Sequence, residues 1–170
     1  RMTDATDMFN NWASDPEVTK YLFWKPHASL DVTKMVIALW INLDSSKKSI
    51  DWIIVDKLSK QAIGAININV IDKKAKKGEV GFCLARKYWG QGIMTEALAY
   101  VLRHVFSLGF KEIIGGHIRE NIASAKVMIK NRMHYAYTEE SQSTWDNSHI
   151  FIDYYTITYN DWKIKKGRLV

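Results

Sequence analysis

Cysteine is almost absent from this chain: its 170 residues include one, Cys83. That excludes an internal disulfide and makes a reducing compartment, the cytoplasm, the expected location. Proline occurs twice and glycine nine times, too rarely for a collagen-like or low-complexity chain. No apolar stretch approaches the roughly 18 residues of a membrane span, so no membrane partner is expected. Repeats are absent, and no metal site is expected. Acidic residues are outnumbered, 18 against 24 lysines and arginines, for a net charge of +6. The basic residues are spread along the chain, with a denser run at Lys73, Lys74, Lys76 and Lys77. That run reads as a solvated turn or as a patch that steers an anion, a phosphorylated cofactor or nucleic acid.

What is present suits one folded domain over 1–170. Apolar residues make up 47% and charged residues 25%, ordinary for a globular protein. Seven Trp and eight Tyr suggest a thick core, a flat apolar site, or both. Thr3 can cap a first helix with Met8, Phe9 and Trp12 on its apolar side. Pro16 suits the first position of a short helix ending near Tyr21-Leu22. Ser29 can cap a third, where Val32, Met35, Val36, Leu39, Trp40 and Leu43 keep helical spacing. The period then shortens. Residues 50–55, 62–71 and 79–84 read as an antiparallel meander. Met94 to Val105 returns to helical spacing, closed by Gly109 and Phe110. A strand over 113–118, a helix over 121–130 and strands over 135–138 and 150–158 complete an α+β pattern.

Between the third strand and the fourth helix stands Lys87-Tyr88-Trp89-Gly90-Gln91-Gly92. A strand that runs through glycines into a helix start makes an anion site, because the first helical N–H groups lack partners. Arg86 and Lys87 add charge. A P-loop needs Lys and Ser or Thr after the second glycine; Ile93-Met94 stand there. A dinucleotide fingerprint needs a third glycine where Thr95 stands, and a parallel sheet. The remaining pattern, Gln or Arg, two residues, Gly, one residue, then Gly or Ala, is matched with Lys in its first position. It belongs to the pyrophosphate loop of acetyl-coenzyme A-dependent acyltransferases. A tight turn without a ligand is the plainer alternative.

At these residues the chain resembles the GNAT superfamily of N-acetyltransferases, in the branch that acetylates ribosomal-protein N-termini. The resemblance runs over nearly the whole chain. Asp15 to Leu22 looks like that branch's N-terminal segment. Gly78 to Phe82 is similar to its central strand, and Tyr88 to Gly92 with Thr95-Glu96-Ala97 to its loop and helix start. Gly116-His117, Glu120-Asn121, Ser124, Val127-Met128 and Lys130 resemble its second cofactor motif, and Asp153-Tyr154-Tyr155 its last strand. Three departures stand out. The family's first strand is missing, and Arg1 is expected to be its last residue. Lys87 replaces Gln or Arg. Arg132-Met133-His134 stands where a glycine is usual, which puts a helix C-cap in question.

The resemblance implies a GNAT-like fold: a central mixed, mostly antiparallel sheet flanked by helices, with two strands splayed around the cofactor, acetyl-CoA. It implies that the pantetheine arm pairs with the backbone of Phe82, Cys83 and Leu84. The pyrophosphate would rest on the N–H groups of Lys87, Trp89, Gly90, Gln91 and Gly92, with Ile93, Met94 and Thr95 at the helix start. Asn121 is a helix cap that would also hold a pantetheine amide. Ser124 would face the thioester sulfur, and Lys126 would reach the nucleotide phosphates. Acceptor deprotonation would fall to His117, which titrates in the right range, or to Glu79 through water. Each also suits a plain structural role, and Glu139 and Glu140 read as cation-attracting or simply solvated. Cys83 lies far from any base and is not expected to act covalently. Trp24 and His27 are expected to line the acceptor pocket.

The expected reaction moves acetyl from acetyl-CoA to a primary amine, a protein N-terminus or a small amine, by direct attack. The alternatives are a coenzyme A-binding module without catalysis and, on charge alone, a nucleic-acid-binding domain, which is not expected. A monomer or a homodimer is expected.

Overall fold

The computed structural model describes residues 1–143 and 145–164. Six strands form one sheet in the order β1-β2-β3-β4-β6-β5. β1 (Ser49–Val55), β2 (Ala62–Asp72) and β3 (Lys77–Leu84) form the expected antiparallel meander. β4 (Glu112–Ile118) runs parallel to β3. β5 (His134–Gln142) and β6 (His149–Thr158) form the last hairpin, with β6 antiparallel to β4.

The β3–β4 junction sets up everything functional. Pairing covers only Lys77–Glu112, Gly78–Ile113 and Glu79–Ile114. Beyond Glu79 the strands diverge. Gly78 lies at the closed end because nothing larger fits: an added Cβ would stand 2.6 Å from Ile68 Cγ2 and 2.9 Å from Phe110 Cε1.

Helices cover both faces. α4 (Ile93–Ser107) and α5 (Ile122–Lys130) cover one. Ile66, Ile68, Val80, Leu98, Leu102, Val105, Ile113, Met128 and Ile157 form the core beneath them. α1 (Ala5–Met8), α2 (Pro16–Thr19) and α3 (Leu30–Ser45) belong to the other face, where Met8, Trp12, Val18 and Ile37 pack with Ala62, Ala65 and Ala85. Asp15 caps α2 by accepting the Glu17 N–H at 2.9 Å, and Ser29 caps α3 by accepting from Val32. No helix among the described residues is long and apolar enough to cross a membrane.

Several boundaries differ from the expected ones. Thr3 is not a cap: it lies inside a 3₁₀ turn over Met2–Asp4, and Phe9–Ala13 widens into a π turn. Long-range hydrogen bonds hold this distorted segment, from Ala62 N–H to Asp7 at 2.9 Å and from Asn11 Nδ2 to the Ala62 carbonyl at 2.7 Å. α2 ends at Thr19, and the terminal α6 (Tyr159–Ile164) was not foreseen.

Two helices end in the same motif with different residues. After α4, Gly109 adopts φ 93° while Gly109 and Phe110 donate back to Phe106 and Val105. After α5, Arg132 adopts φ 65°, and Arg132 and Met133 donate back to Ile129 and Met128. The C-cap therefore forms without the glycine, with a left-handed arginine in its place. That conformation costs an L-residue roughly 1–2 kcal/mol. Arg132→Gly should therefore stabilise the protein by about 1 kcal/mol in urea unfolding. A loss of stability would show that the arginine side chain contributes more than its backbone strain costs.

Candidate acetyl-coenzyme A site

Beyond Glu79, the β3 backbone groups facing β4 have no strand to meet. The parity follows from the meander. Ala85 donates to the Ile63 carbonyl at 2.8 Å, so odd residues of β3 face β2 and even residues face the opening. Phe82 and Leu84 thus turn their N–H and C=O groups into the gap. One is already engaged: Trp89 Nε1 donates to the Leu84 carbonyl at 2.7 Å. The Phe82 groups and the Leu84 N–H remain available, as β-addition of an amide-bearing arm requires.

A cleft of about 430 Å³ opens here, with Phe82, Cys83, Leu84, Trp89, Gly90, Gly92, Ile93, Met94, Thr95, Asn121, Ser124 and Lys126 in its wall. A 3₁₀ turn over Arg86–Tyr88 leads into its glycine end. That turn uses the Tyr88 and Trp89 N–H groups, donated to Ala85 and Arg86. The N–H groups of Gly90 through Thr95 have no hydrogen-bond partner among the described residues. Gly90 and Gly92 adopt φ 74° and 79°. An added Cβ on either would meet nothing within 4 Å. These glycines are not needed for internal packing; they leave a bare backbone concavity at a helix N-terminus, which suits a pyrophosphate. Lys87 and Gln91 stand outside the wall, and Gln91 Nε2 closes the loop on the Lys87 carbonyl at 2.9 Å.

The other bank is α5. Asn121 Oδ1 accepts the Ser124 N–H at 3.2 Å, which leaves the Asn121 amide nitrogen for a ligand carbonyl. Ser124 lies half-buried in the wall, and Lys126 and Lys130 follow one turn apart. Asn131, which sequence reasoning passed over, ties the banks together. Its Nδ2 donates to the Thr95 and Val127 carbonyls, both at 3.0 Å. Asparagine beside a helix end is too common a signal to reveal that bridge.

Besides Lys87 and Gln91, four expected residues lie outside the cleft wall: His117, His27, Trp24 and Glu79. His117 is 5% exposed, stacked on Tyr155 and outside the cleft wall. Its Nδ1 lies 2.8 Å from the Ile118 carbonyl. A carbonyl only accepts, so Nδ1 carries a proton, and the buried Nε2 has no hydrogen-bond partner among the described residues. His27 bonds Thr33 Oγ1 at 2.8 Å, and burial holds its pKa below the usual value. Trp24 lies against His27 and packs toward the core. Tyr21 and Leu22, with Glu17 and Val18, line the cleft in their stead. Trp145, in the β5–β6 loop, reaches back to the Leu22 carbonyl at 3.3 Å.

Glu79 is half-buried at the apex of the splay, on the face away from α4 and α5. Burial raises its pKa, and Glu139 adds to the shift. Burial also pushes the Cys83 thiol up to about 12, so it stays protonated and is a poor nucleophile. No group of metal-ligating side chains occurs among the described residues.

Gly92→Glu tests the concavity. Nothing packs there, so the cost in stability should stay near the left-handed penalty, about 1–2 kcal/mol. Acetyl-CoA binding, measured by calorimetry, should be lost. Unchanged binding would place the pyrophosphate elsewhere.

Known proteins resemble this chain in sequence and in fold. The Acetyltransferase (GNAT) domain model matches residues 1–134. An uncharacterised N-acetyltransferase, p20 of Bacillus licheniformis, is 30% identical over 128 residues, 75% of this chain and 71% of that one. The ribosomal-protein-S5-alanine acetyltransferase of Vibrio fischeri superposes with a TM-score of 0.81 at 20% identity, covering 96% of this chain and 92% of its own. A spermidine N-acetyltransferase of Vibrio cholerae, solved with CoA and spermine, gives 0.81 at 15% identity over 95% and 94%. With a domain model covering most of its length and a relative 30% identical over three quarters of it, this chain belongs to the GNAT acetyltransferase family.

Proposed function

We propose that this domain acetylates a primary amine by direct attack on acetyl-CoA. The observation that carries the reading is the splay itself: unpaired strand backbone leads straight to unpaired helix N–H groups across one continuous cleft. When bound, acetyl-CoA supplies an activated acetyl thioester.

The chain's residues do the rest. Phe82 and Leu84 align the pantetheine arm as an added strand. The Leu84 N–H is directed to polarise the thioester carbonyl. Gly90 to Thr95 hold the pyrophosphate, and Lys126 adds charge nearby. Glu79 accepts, through water, the proton the ammonium must lose before it can attack. As the acceptor nitrogen forms its C–N bond and the C–S bond breaks, Ser124 would give a proton to the sulfur, and the proton that the acylated nitrogen sheds would return to Ser124 through water. His117, buried outside the wall, supports β4 and takes no part in proton transfer. Cys83 takes no covalent part. We take residues 1–170 as a single domain acting in the cytoplasm as a monomer or homodimer.

A coupled thiol-release assay over a panel of amines tests this. Glu79→Gln should lower kcat about 100-fold, and Ser124→Ala about ten-fold, since a thiolate leaves fairly readily. His117→Ala should keep kcat within about three-fold. Turnover untouched by both Glu79→Gln and Ser124→Ala would overturn the assignment.

Glu79 also makes a stability prediction. Its folded pKa is raised, so the folded state holds that proton more tightly than the unfolded chain. The ionised carboxylate therefore costs stability, a cost that appears as pH rises through the unfolded pKa toward the folded one. Glu79→Gln should melt above wild type at pH 7.5, with the gap closing below pH 4.

A further inference from the structure

The cofactor takes the α4–α5 side of the splay, so the acceptor must reach the thioester from the opposite face. α1 and α3 cover only part of that face, over Ile53, Ala65 and Cys83. Beyond them it carries Glu79 on β3, Gly116 on β4, Tyr154 on β6, and Tyr137 and Glu139 on β5. The register brings these together. Tyr154 pairs with both Gly116 and Tyr137, and Glu139 with Ile152.

Gly116 explains the geometry. An added Cβ would stand 2.7 Å from Tyr154 Cε1, so the missing side chain lets the Tyr154 ring lie against β4 on the side of Glu79. Tyr137 stacks on Tyr154 with centroids 4.8 Å apart and planes 24° apart. The Tyr154 hydroxyl has no hydrogen-bond partner among the described residues. Two carboxylates bracket the stacked rings. Across the strands their backbones are three spacings apart, about 14 Å, and the register sets Glu139 level with Ile118, four residues along β4 from the Ile114 that pairs with Glu79. Neither Glu79 nor Glu139 is in an ion pair among the described residues, whereas neighbouring Glu140 is paired with His149. Two carboxylates without basic partners are notable in a chain of net charge +6.

Resting on the acetyltransferase reading, we propose that the acceptor is a flexible aliphatic amine with two or more positive charges, received on the Tyr154–Tyr137 pair between Glu79 and Glu139. Ring faces and carboxylates are what ammonium groups on a methylene chain recognise. One ammonium lies at the splay apex beside Glu79 and reacts after losing its proton. The second remains protonated and is held by Glu139. A peptide N-terminus fits this floor poorly. Its following amides need hydrogen-bond partners, and β6, beneath the tyrosine pair, is already paired on both sides, to β4 and to β5.

The test uses the whole chain with hexylamine, 1,6-diaminohexane, spermidine and a hexapeptide with a free N-terminus, and coenzyme A affinity is measured in parallel by calorimetry. Diaminohexane and spermidine should exceed hexylamine and the peptide in kcat/KM by about ten-fold or more. Glu139→Gln should raise KM for the two polyvalent amines about ten-fold, hold kcat within about two-fold and leave hexylamine unaffected. Tyr154→Leu should raise KM for every amine, while Tyr154→Phe, which keeps the ring face, should not. Coenzyme A affinity should stay unchanged in all three variants, which separates an acceptor effect from a folding defect. A preference for the peptide, or a Glu139→Gln variant that treats hexylamine and diaminohexane alike, would overturn the polycation assignment and leave acetyl transfer standing. Failure of the wild-type protein to bind acetyl-CoA would overturn both.

Discussion

The site depends on one interruption of hydrogen bonding. β3 and β4 pair for three residues and then part. Had the pairing continued, Phe82 and Leu84 would have met β4 and the sheet would have closed. An interior strand with open backbone groups is normally a defect, because buried polar groups without partners cost free energy. Here the opening is stabilised from both ends. Gly78 holds the closed end against Ile68, Phe110 and Ile113. At the open end the α4 and α5 N-termini supply further donors, and Trp89 covers the Leu84 carbonyl that would otherwise have faced outward. The cleft is therefore an unfinished sheet whose missing piece has the hydrogen-bonding habit of a strand and the charge of an anion.

Much of this was legible in the sequence. Alternation marked the meander, and the 3.6-residue period marked α3, α4 and α5. Gly90 and Gly92 signalled close backbone approach, and their open surroundings agree. The unread parts share a cause: they are set by contacts far apart in sequence. Asp7 and Asn11 bond to Ala62 across more than fifty residues and distort the first helix. His27 and Trp24 look like pocket residues in a polar loop, yet Thr33 and the core draw them inward. β5 extends to Gln142 through Glu139, Glu140 and Ser141 because β6 pairs with it, although its own pattern is too polar to announce a strand. The meeting of Tyr137, Tyr154 and Gly116 depends on register across three strands, which no local pattern encodes.

Local strain and burial are distributed unevenly. Most elements satisfy their own preferences: Asp15 and Ser29 cap, Gly109 turns, and Leu98 and Ile113 fill the core. The departures fall both beside the cleft and away from it, where Lys47, Lys60, Lys76 and Asn147 are also left-handed. Arg132 holds a backbone angle that favours glycine, directly after the asparagine that joins α5 to α4. Glu79 is half-buried without a basic partner among the described residues, and the buried His117 Nε2 has no hydrogen-bond partner there. Such local inconsistencies are where a fold trades stability for chemistry.

The Asn131 bridge gives α5 a second meaning. Asn121 stands at one end of this helix and Asn131 at the other, with nine residues between them, a rigid span of about 14 Å. One end is proposed to hold the pantetheine arm, and the other donates to the carbonyl of Thr95 near the start of α4. The helix is thereby a ruler laid between the phosphate cradle and the reacting end. Its length is set by backbone geometry, which no side-chain rearrangement alters. A coenzyme whose arm is a few ångströms shorter or longer would still find its phosphates bound, but its reacting carbon would fall short of Glu79 or overshoot it.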